Sequence, residues 1–486
     1  MKFHPAVLML FSWLSAYAIF FILPFRLESR VMTPYGFLIT AIFLATFCVA
    51  SLAAARPMQQ RPWNPNVVID FRRVDQVLMI ACLTAVGAFL VDTQDSNVFD
   101  LAASYAARSG RASDLLQGAQ SDSSIWFQIG FLCYPAGYIY LTREIGFKRR
   151  PELWRIAVFG LAPSILAALS MGGRGPMFFA VVYAVLAYFL RQQVFPLPKR
   201  KPRRRPAAGL QGALPAAAPG HYSRLSPRPR RNLVFRFGPG SKLAMGLAAC
   251  GAMMYFVLVF IARAEGAGGV EAALGDVGLN WGVSFNGHFA NLFYSTLGGE
   301  GTYMVFVFAW YWIQGIVMSN QIFTDYDGPM LLGTYGVDLV SALMRRLNGA
   351  FVADGFSTLL RMNVYGFVPS AFGSLYVDLK FIGLIPVALW GYLTGLVYRK
   401  VKGGVDSRYM LLTPFISLGI VMSLNNTPIG LSNGLMLHAW LLVAFFLAKP
   451  RLMKARAPAP AGATGPGVSA SPAGPATPSG PAPAVR

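Results

Sequence analysis

Charge is what this sequence has least of. Only 13% of its 486 residues are Asp, Glu, Lys or Arg, while 55% are hydrophobic. A soluble domain carries about 25% charged residues, so the balance excludes a water-solvated globular fold and makes lipid the main solvent. Cysteine is sparse as well. Cys48, Cys82, Cys133 and Cys250 all fall in apolar runs, neither spaced for a metal nor placed for disulfides outside a membrane, so packing accounts for them. The HExxH, Gly-x-Ser-x-Gly and phosphate-loop patterns are missing. Metal-dependent and serine-hydrolase chemistry therefore has no sequence support, and no metal or cofactor is expected. No internal repeat relates the two halves, which weighs against folds built on inverted-repeat symmetry.

What is abundant is apolar runs of spanning length. A bilayer core takes about 20 mostly apolar residues per helix. Runs at 6–23, 35–54, 75–91, 124–142, 154–171, 177–190, 243–262, 381–398, 409–424 and 434–448 predict an all-α polytopic membrane protein of about ten helices. No small-x-small cleavage site follows Leu23, so the first run reads as a membrane helix and not as a cleavable signal.

Basic residues outnumber acidic ones 42 to 20, a net charge of +22. With both termini inside, the inner segments hold 32 Lys/Arg and 5 Asp/Glu, and the outer segments hold 10 and 15. That asymmetry is the positive-inside pattern of a multi-pass protein with cytoplasmic termini, here in a bacterial inner membrane. The run KRKPRRR, Lys199 to Arg205, then lies at the inner leaflet. No aromatic side chains interleave with it, so lipid and not nucleic acid is its partner.

This topology divides the chain into a six-helix half (1–190), a basic cytoplasmic linker (191–242), one membrane helix (243–262), a large outer loop (263–379), three C-terminal helices (380–450) and a Pro/Ala-rich tail (451–486). The linker has thirteen Lys/Arg and no acidic residue, and both it and the tail have compositions expected to be disordered. Within the outer loop, the uncharged stretch 302–318 is nearly long enough to span. As a full span it would carry Arg399, Lys400 and Lys402 to the outer side, so an interfacial or re-entrant helix is expected there. Residues 337–347 form an amphipathic piece whose apolar face suits a membrane surface.

The rare outer cations are candidates for binding an anion. Arg174 sits in the short turn MGGRGPM, 171–177, where glycines permit sharp backbone geometry and Pro176 starts the next helix. It is either a topological anchor or a guanidinium gripping phosphate through paired hydrogen bonds. Arg361, in STLLRMNVYGFVPS, ranks next. Arg263 sits where a helix leaves the membrane, and Arg345 and Arg346 lie on the amphipathic piece, so anchoring and a solvated face are their alternative roles. Two or three such arginines converging would clamp a diphosphate leaving group. Proton-transfer candidates are His288, Glu300, Asp338, Asp354 and Asp378, with His288, Asp338 and Asp378 ranked as the base. Aromatics crowd 281–312, Trp310 and Trp312 among them, as either an interfacial belt or a platform for sugar rings.

Two segments resemble the Wzy-type polymerases of surface-polysaccharide repeat units. SMGGRGPMF, 170–178, is similar to the family's small-residue–Arg–Gly turn between two helices. RMNVYGFVPSAFGSLYVDLKFIGLIPVALWGYLTGLVY, 361–398, resembles its Asn-Val-Tyr segment followed by Tyr-x-Asp and a glycine-rich helix, although Lys380 stands where a glycine is expected. The resemblance implies a metal-independent, GT-C-like glycosyltransferase acting on the periplasmic face. Its substrate would be undecaprenyl-diphosphate-linked oligosaccharide, and its partners a chain-length regulator and a flippase. By position, Arg174 and Arg361 match the family's functional arginines and Asp378 its Tyr-x-Asp aspartate; Tyr365 belongs to the Asn-Val-Tyr segment. An O-antigen ligase shares the donor and is the nearest alternative. A lipid or glycan transporter is favoured less, because the expected spans are nearly free of ionisable residues.

Overall fold

A computed structural model describes residues 3–22, 25–56, 67–94, 124–171, 173, 175–194, 250–251, 254, 257–262, 264–266, 268–276, 281–364, 368–403, 406, 408–430 and 433–452. In chain order the elements are α1 (Pro5–Ile22), β1 (Phe25–Leu27), α2 (Pro34–Ala54), β2 (Val67–Asp70), α3 (Arg72–Asp92), α4 (Ile125–Cys133), α5 (Ala136–Phe147), α6 (Leu153–Ser170), α7 (Gly175–Val194), α8 (Val270–Asp276), β3 (Val283–Phe285), α9 (Gly287–Asp325), α10 (Asp338–Leu347), α11 (Gly349–Arg361), α12 (Ala371–Leu379), α13 (Leu384–Lys402), α14 (Tyr409–Leu424), α15 (Gly434–Leu447) and β4 (Lys449–Leu452). The chain is mostly helical, and seven helices among the described residues are long and apolar enough to cross a membrane: α1, α2, α3, α6, α7, α9 and the continuous run Ala371–Lys402. This is an all-α polytopic membrane protein.

Six of these seven coincide with runs read from the sequence. The seventh, α9, carries the stretch 302–318 in its middle, and the sequence had assigned that stretch to the outer loop. Three further runs become shorter helices. Residues 124–142 break into α4 and α5 at Tyr134–Pro135, where proline lacks the N–H that would continue the ladder. Helices α14 and α15 are apolar but shorter than a span. Most of the 243–262 run, the linker beyond 194 and the tail beyond 452 lie outside the described residues. Cys48 and Cys82 are buried as expected, whereas Cys250 is exposed.

Close backbone approach sets the tightest helix pair. Helix α13 runs along α2 with Gly391 and Gly395 facing it. A Cβ at these positions would come within 2.4 Å of the Phe47 carbonyl oxygen and 2.2 Å of that of Ser51. Small residues four apart permit such contact where lipid supplies no hydrophobic drive between helices. Two apolar cores result. One gathers α1, α2, α9 and α12, with Trp13 stacked on Phe372 at 4.8 Å and its indole N–H donating to Ser423 at 3.0 Å. The other gathers α3, α5, α7, α14 and α15 around Phe89, Tyr134, Tyr138 and Phe415. Two short antiparallel pairs tie distant segments, β1 to β3 and β2 to β4.

One ionic chain crosses the second core. Arg143 reaches Asp75 at 2.5 Å and Glu144 at 2.8 Å. Lys148 reaches Glu144 at 2.9 Å and Glu152 at 2.8 Å, and Arg155 closes on Glu152 at 2.8 Å. The Glu144 side chain has no exposure and also accepts the Glu152 backbone N–H at 3.0 Å. Removing one partner of a buried ionic network strands the others, a loss of roughly 3–5 kcal/mol. Glu144→Ala is therefore expected to lower the thermal unfolding midpoint sharply in detergent or nanodiscs, whereas an unchanged midpoint would show that the chain contributes little.

Candidate functional site

Helix α9 organises the segments packed around it. From Ile313 to Asn320 every residue is buried, and three consecutive side chains then reach three different partners. The Ser319 hydroxyl lies 2.6 Å from that of Ser370, the N-cap of α12. The Asn320 amide accepts the Thr33 N–H at 2.8 Å and donates to the Thr33 carbonyl at 3.0 Å. Gln321 donates to the Met362 carbonyl at 2.9 Å. Earlier on α9, Phe306 and Trp310 pack on Phe25 at ring separations of 5.3 and 6.3 Å. Two places along the helix are thus fastened to the connection between α1 and α2.

Arg30, in that connection, is a functional candidate the sequence reading passed over. It is only 6% exposed. Its Nε donates to the Trp281 carbonyl at 2.6 Å, one Nη to Gln321 Oε1 at 2.5 Å and the other to the Asn363 carbonyl at 2.8 Å. Burial pushes its pKa down to about 10, which leaves it charged at neutral pH. As one of ten outer cations it was counted for topology but not examined as part of a site.

Arg361 ends α11, and the turn after it is fixed by backbone bonds. Asn363 takes a left-handed conformation (φ 52°), with its N–H donating to the Leu360 carbonyl at 2.9 Å and that of Val364 to Leu359 at 3.0 Å. Paired bonds of this kind satisfy the last carbonyls of a helix. The Arg361 guanidinium is exposed, donates to the Thr358 hydroxyl at 3.2 Å, and forms no ion pair among the described residues. Arg345 on α10 lies over the Phe356 ring of α11 at 5.5 Å.

Asp378 is 2% exposed, and both its carboxylate oxygens are occupied. One accepts the Tyr335 N–H at 3.0 Å, the other that of Gly336 at 2.9 Å. The Leu332 N–H also donates to the Asp378 backbone carbonyl at 2.9 Å. A Cβ on Gly336 would lie 2.7 Å from the carboxylate, so only glycine permits the approach. The sequence ranks it among the candidate bases; the structure shows it clamping the turn 331–337. Just beyond it Lys380 takes a positive φ of 51°, a conformation that favours glycine. Its ammonium donates to the Tyr326 carbonyl at 2.7 Å and stands 3.8 Å from that ring's centre, which holds the strained residue in place. Tyr326 is flanked by exposed Asp325 and Asp327, an acidic pair also missed at first reading. Burial, with the carboxylates of Asp378 and Asp327, pushes the Tyr326 phenol above its usual pKa.

The other expected residues scatter. His288 is exposed at the opposite end of α9 from Gln321, edge-on to Phe289, and is not gathered with Asp378. Trp310 is buried against Trp281 and Phe25, so its ring is core and not a sugar platform; Trp312 is 45% exposed. Asp354 is exposed on α11, and Glu300 is exposed on α9 near its kink at Gly298. Asp338 and Arg346 have their backbones in α10, but their side chains lie outside the description, as do Arg174, Arg263 and Tyr365 altogether. No family model, curated protein or solved structure matches the chain.

Asp378→Asn replaces one acceptor with an amide N–H₂ facing a backbone donor, at a cost of about 1–3 kcal/mol. Faster hydrogen exchange at Tyr335 and Gly336, with little change elsewhere, is the expected result. Unchanged exchange there would refute the clamp.

Proposed function

We propose that this chain is a membrane-embedded, metal-independent glycosyltransferase of GT-C-like architecture. It joins undecaprenyl-diphosphate-linked oligosaccharide repeat units into a surface polysaccharide at the periplasmic face of a bacterial inner membrane. About ten spans with both termini cytoplasmic complete the proposal, with a chain-length regulator and a flippase as working partners. The observation that carries it is Arg361: an exposed guanidinium with no ion pair among the described residues, at the start of the segment that resembles the polymerase motif. An exposed arginine in a segment set where acidic residues outnumber basic ones is suited to an anionic ligand such as a lipid diphosphate.

The mechanism asks for a cation at the leaving diphosphate and an acceptor hydroxyl brought to the anomeric carbon. Arg361, joined by Arg174 from the turn 171–177, would neutralise the charge that develops as the sugar–phosphate bond breaks. Asp378 is 2% exposed and accepts the N–H groups of Tyr335 and Gly336, so we assign it to holding the 331–337 turn instead of touching substrate. His288 is the remaining ranked base with an exposed side chain. An O-antigen ligase shares this donor chemistry and differs in the acceptor.

The test is glycan profiling of a deletion strain complemented with variants. Loss of the gene is expected to leave single repeats in place of polymer. Arg174→Ala and Arg361→Ala, at normal protein level, are each expected to abolish polymer. Wild-type chain lengths in both variants would sink these roles, and free long polymer in the deletion strain would point to a ligase.

A further inference from the structure

The geometry points to Arg30 as the positioning residue that sets where Arg361 stands; this inference rests on the glycosyltransferase reading above. Residue 30 is far from 361 in sequence, yet its guanidinium lies in the joint beneath the end of α11. Each of its three nitrogens donates to a different chain segment: the Trp281 carbonyl at 2.6 Å, Gln321 Oε1 at 2.5 Å and the Asn363 carbonyl at 2.8 Å. Gln321 closes the joint by donating to the Met362 carbonyl at 2.9 Å. The two residues directly after Arg361 are therefore held by one arginine and one glutamine, both anchored to α9.

The geometry needs an arginine and not merely a cation. A planar fork with five N–H groups can address three oxygens in three directions, whereas a lysine has one nitrogen on a flexible stem. The site also keeps the guanidinium apart from substrate: it is 6% exposed, and one bond from each of its nitrogens goes to a neutral oxygen of the protein. Arg361 is the exposed member of the pair. The division of labour is one buried arginine that fixes a turn and one exposed arginine that the turn presents. Among the described residues the Arg361 side chain bonds only Thr358, one turn back on its own helix, so its height over α9 is set by the Met362 and Asn363 contacts. A displacement of about 1 Å at a reacting centre can cost 100-fold in rate, which makes this joint a control point.

Two measurements on the full chain in proteoliposomes test the assignment. The first places spin labels at exposed Leu38 on α2 and exposed Ala353 on α11 and measures their separation by pulsed electron resonance. The native chain is expected to give one narrow distribution, and Arg30→Gln and Arg30→Lys a broadened one; equal widths overturn the inference. The second measures turnover, using lipid-linked single repeats extracted from the deletion strain. Arg30→Gln is expected to lower kcat at least 10-fold with KM changed less than 3-fold. In an Arg361→Lys background, which keeps the charge and measurable turnover, the same change is expected to cost less than 3-fold, since the group being positioned is already impaired. Equal factors in both backgrounds, at equal thermal stability, overturn the positioning role alone. Full activity of Arg361→Ala instead overturns the reading of the site, and this inference with it.

Discussion

The complete burial of α9 between Ile313 and Asn320 is the constraint on which the segments carrying Arg30, Arg361 and Asp378 depend. A helix apolar on all sides is stable only when surrounded, and here α1, α2, α12 and the end of α14 surround it. At Gly315 a Cβ would lie 1.7 Å from the Leu424 carbonyl oxygen. That packing leaves little freedom of rotation, so Ser319, Asn320 and Gln321 are aimed at three separate segments. Those segments are the ones carrying α12, the α1–α2 connection and the Arg361 turn. Fixing one helix fixes them all.

The polar joints around α9 follow one logic. Where water is excluded, backbone donors and acceptors must find partners within the protein. Arg30 supplies donors for carbonyls of the 281 and 363 segments, Asn320 pairs with both backbone groups of Thr33, and Asp378 supplies acceptors for two N–H groups of the 331–337 turn. None of these residues needs to touch a ligand to be indispensable. Arg361 and His288 are among the groups left exposed. Lys380 belongs with the joints, since its positive φ is tolerated in return for its grip on Tyr326.

Much of the fold was legible because lipid imposes a simple rule on sequence. Apolar runs of spanning length mark five of the span-length helices within about four residues and the C-terminal part of a sixth, Ala371–Lys402. The rule failed where length was not the deciding property. Proline divided 124–142, and the charge argument that removed 302–318 from the spans could not reveal that this stretch continues through Asp325 as one helix. The site was less legible, for a physical reason. A basic residue stands out in a mostly acidic segment, which is how Arg361 draws notice in the sequence. Arg30 acts through burial and three long-range bonds, none of which leaves a local signature in FRLESRV. Asp378 stands out by its place in the sequence, but a carboxylate that accepts backbone N–H groups looks there like one that accepts a proton.

We propose that the face built on α9 supports sugar transfer from a lipid diphosphate. Its most direct test is the purified chain alone in proteoliposomes, supplied with undecaprenyl-diphosphate-linked single repeats. A ladder of lengthened glycans, with one undecaprenyl diphosphate released per bond formed, is the result the account predicts. Lipid-linked repeats that stay single, or that cross the bilayer uncut, would contradict it.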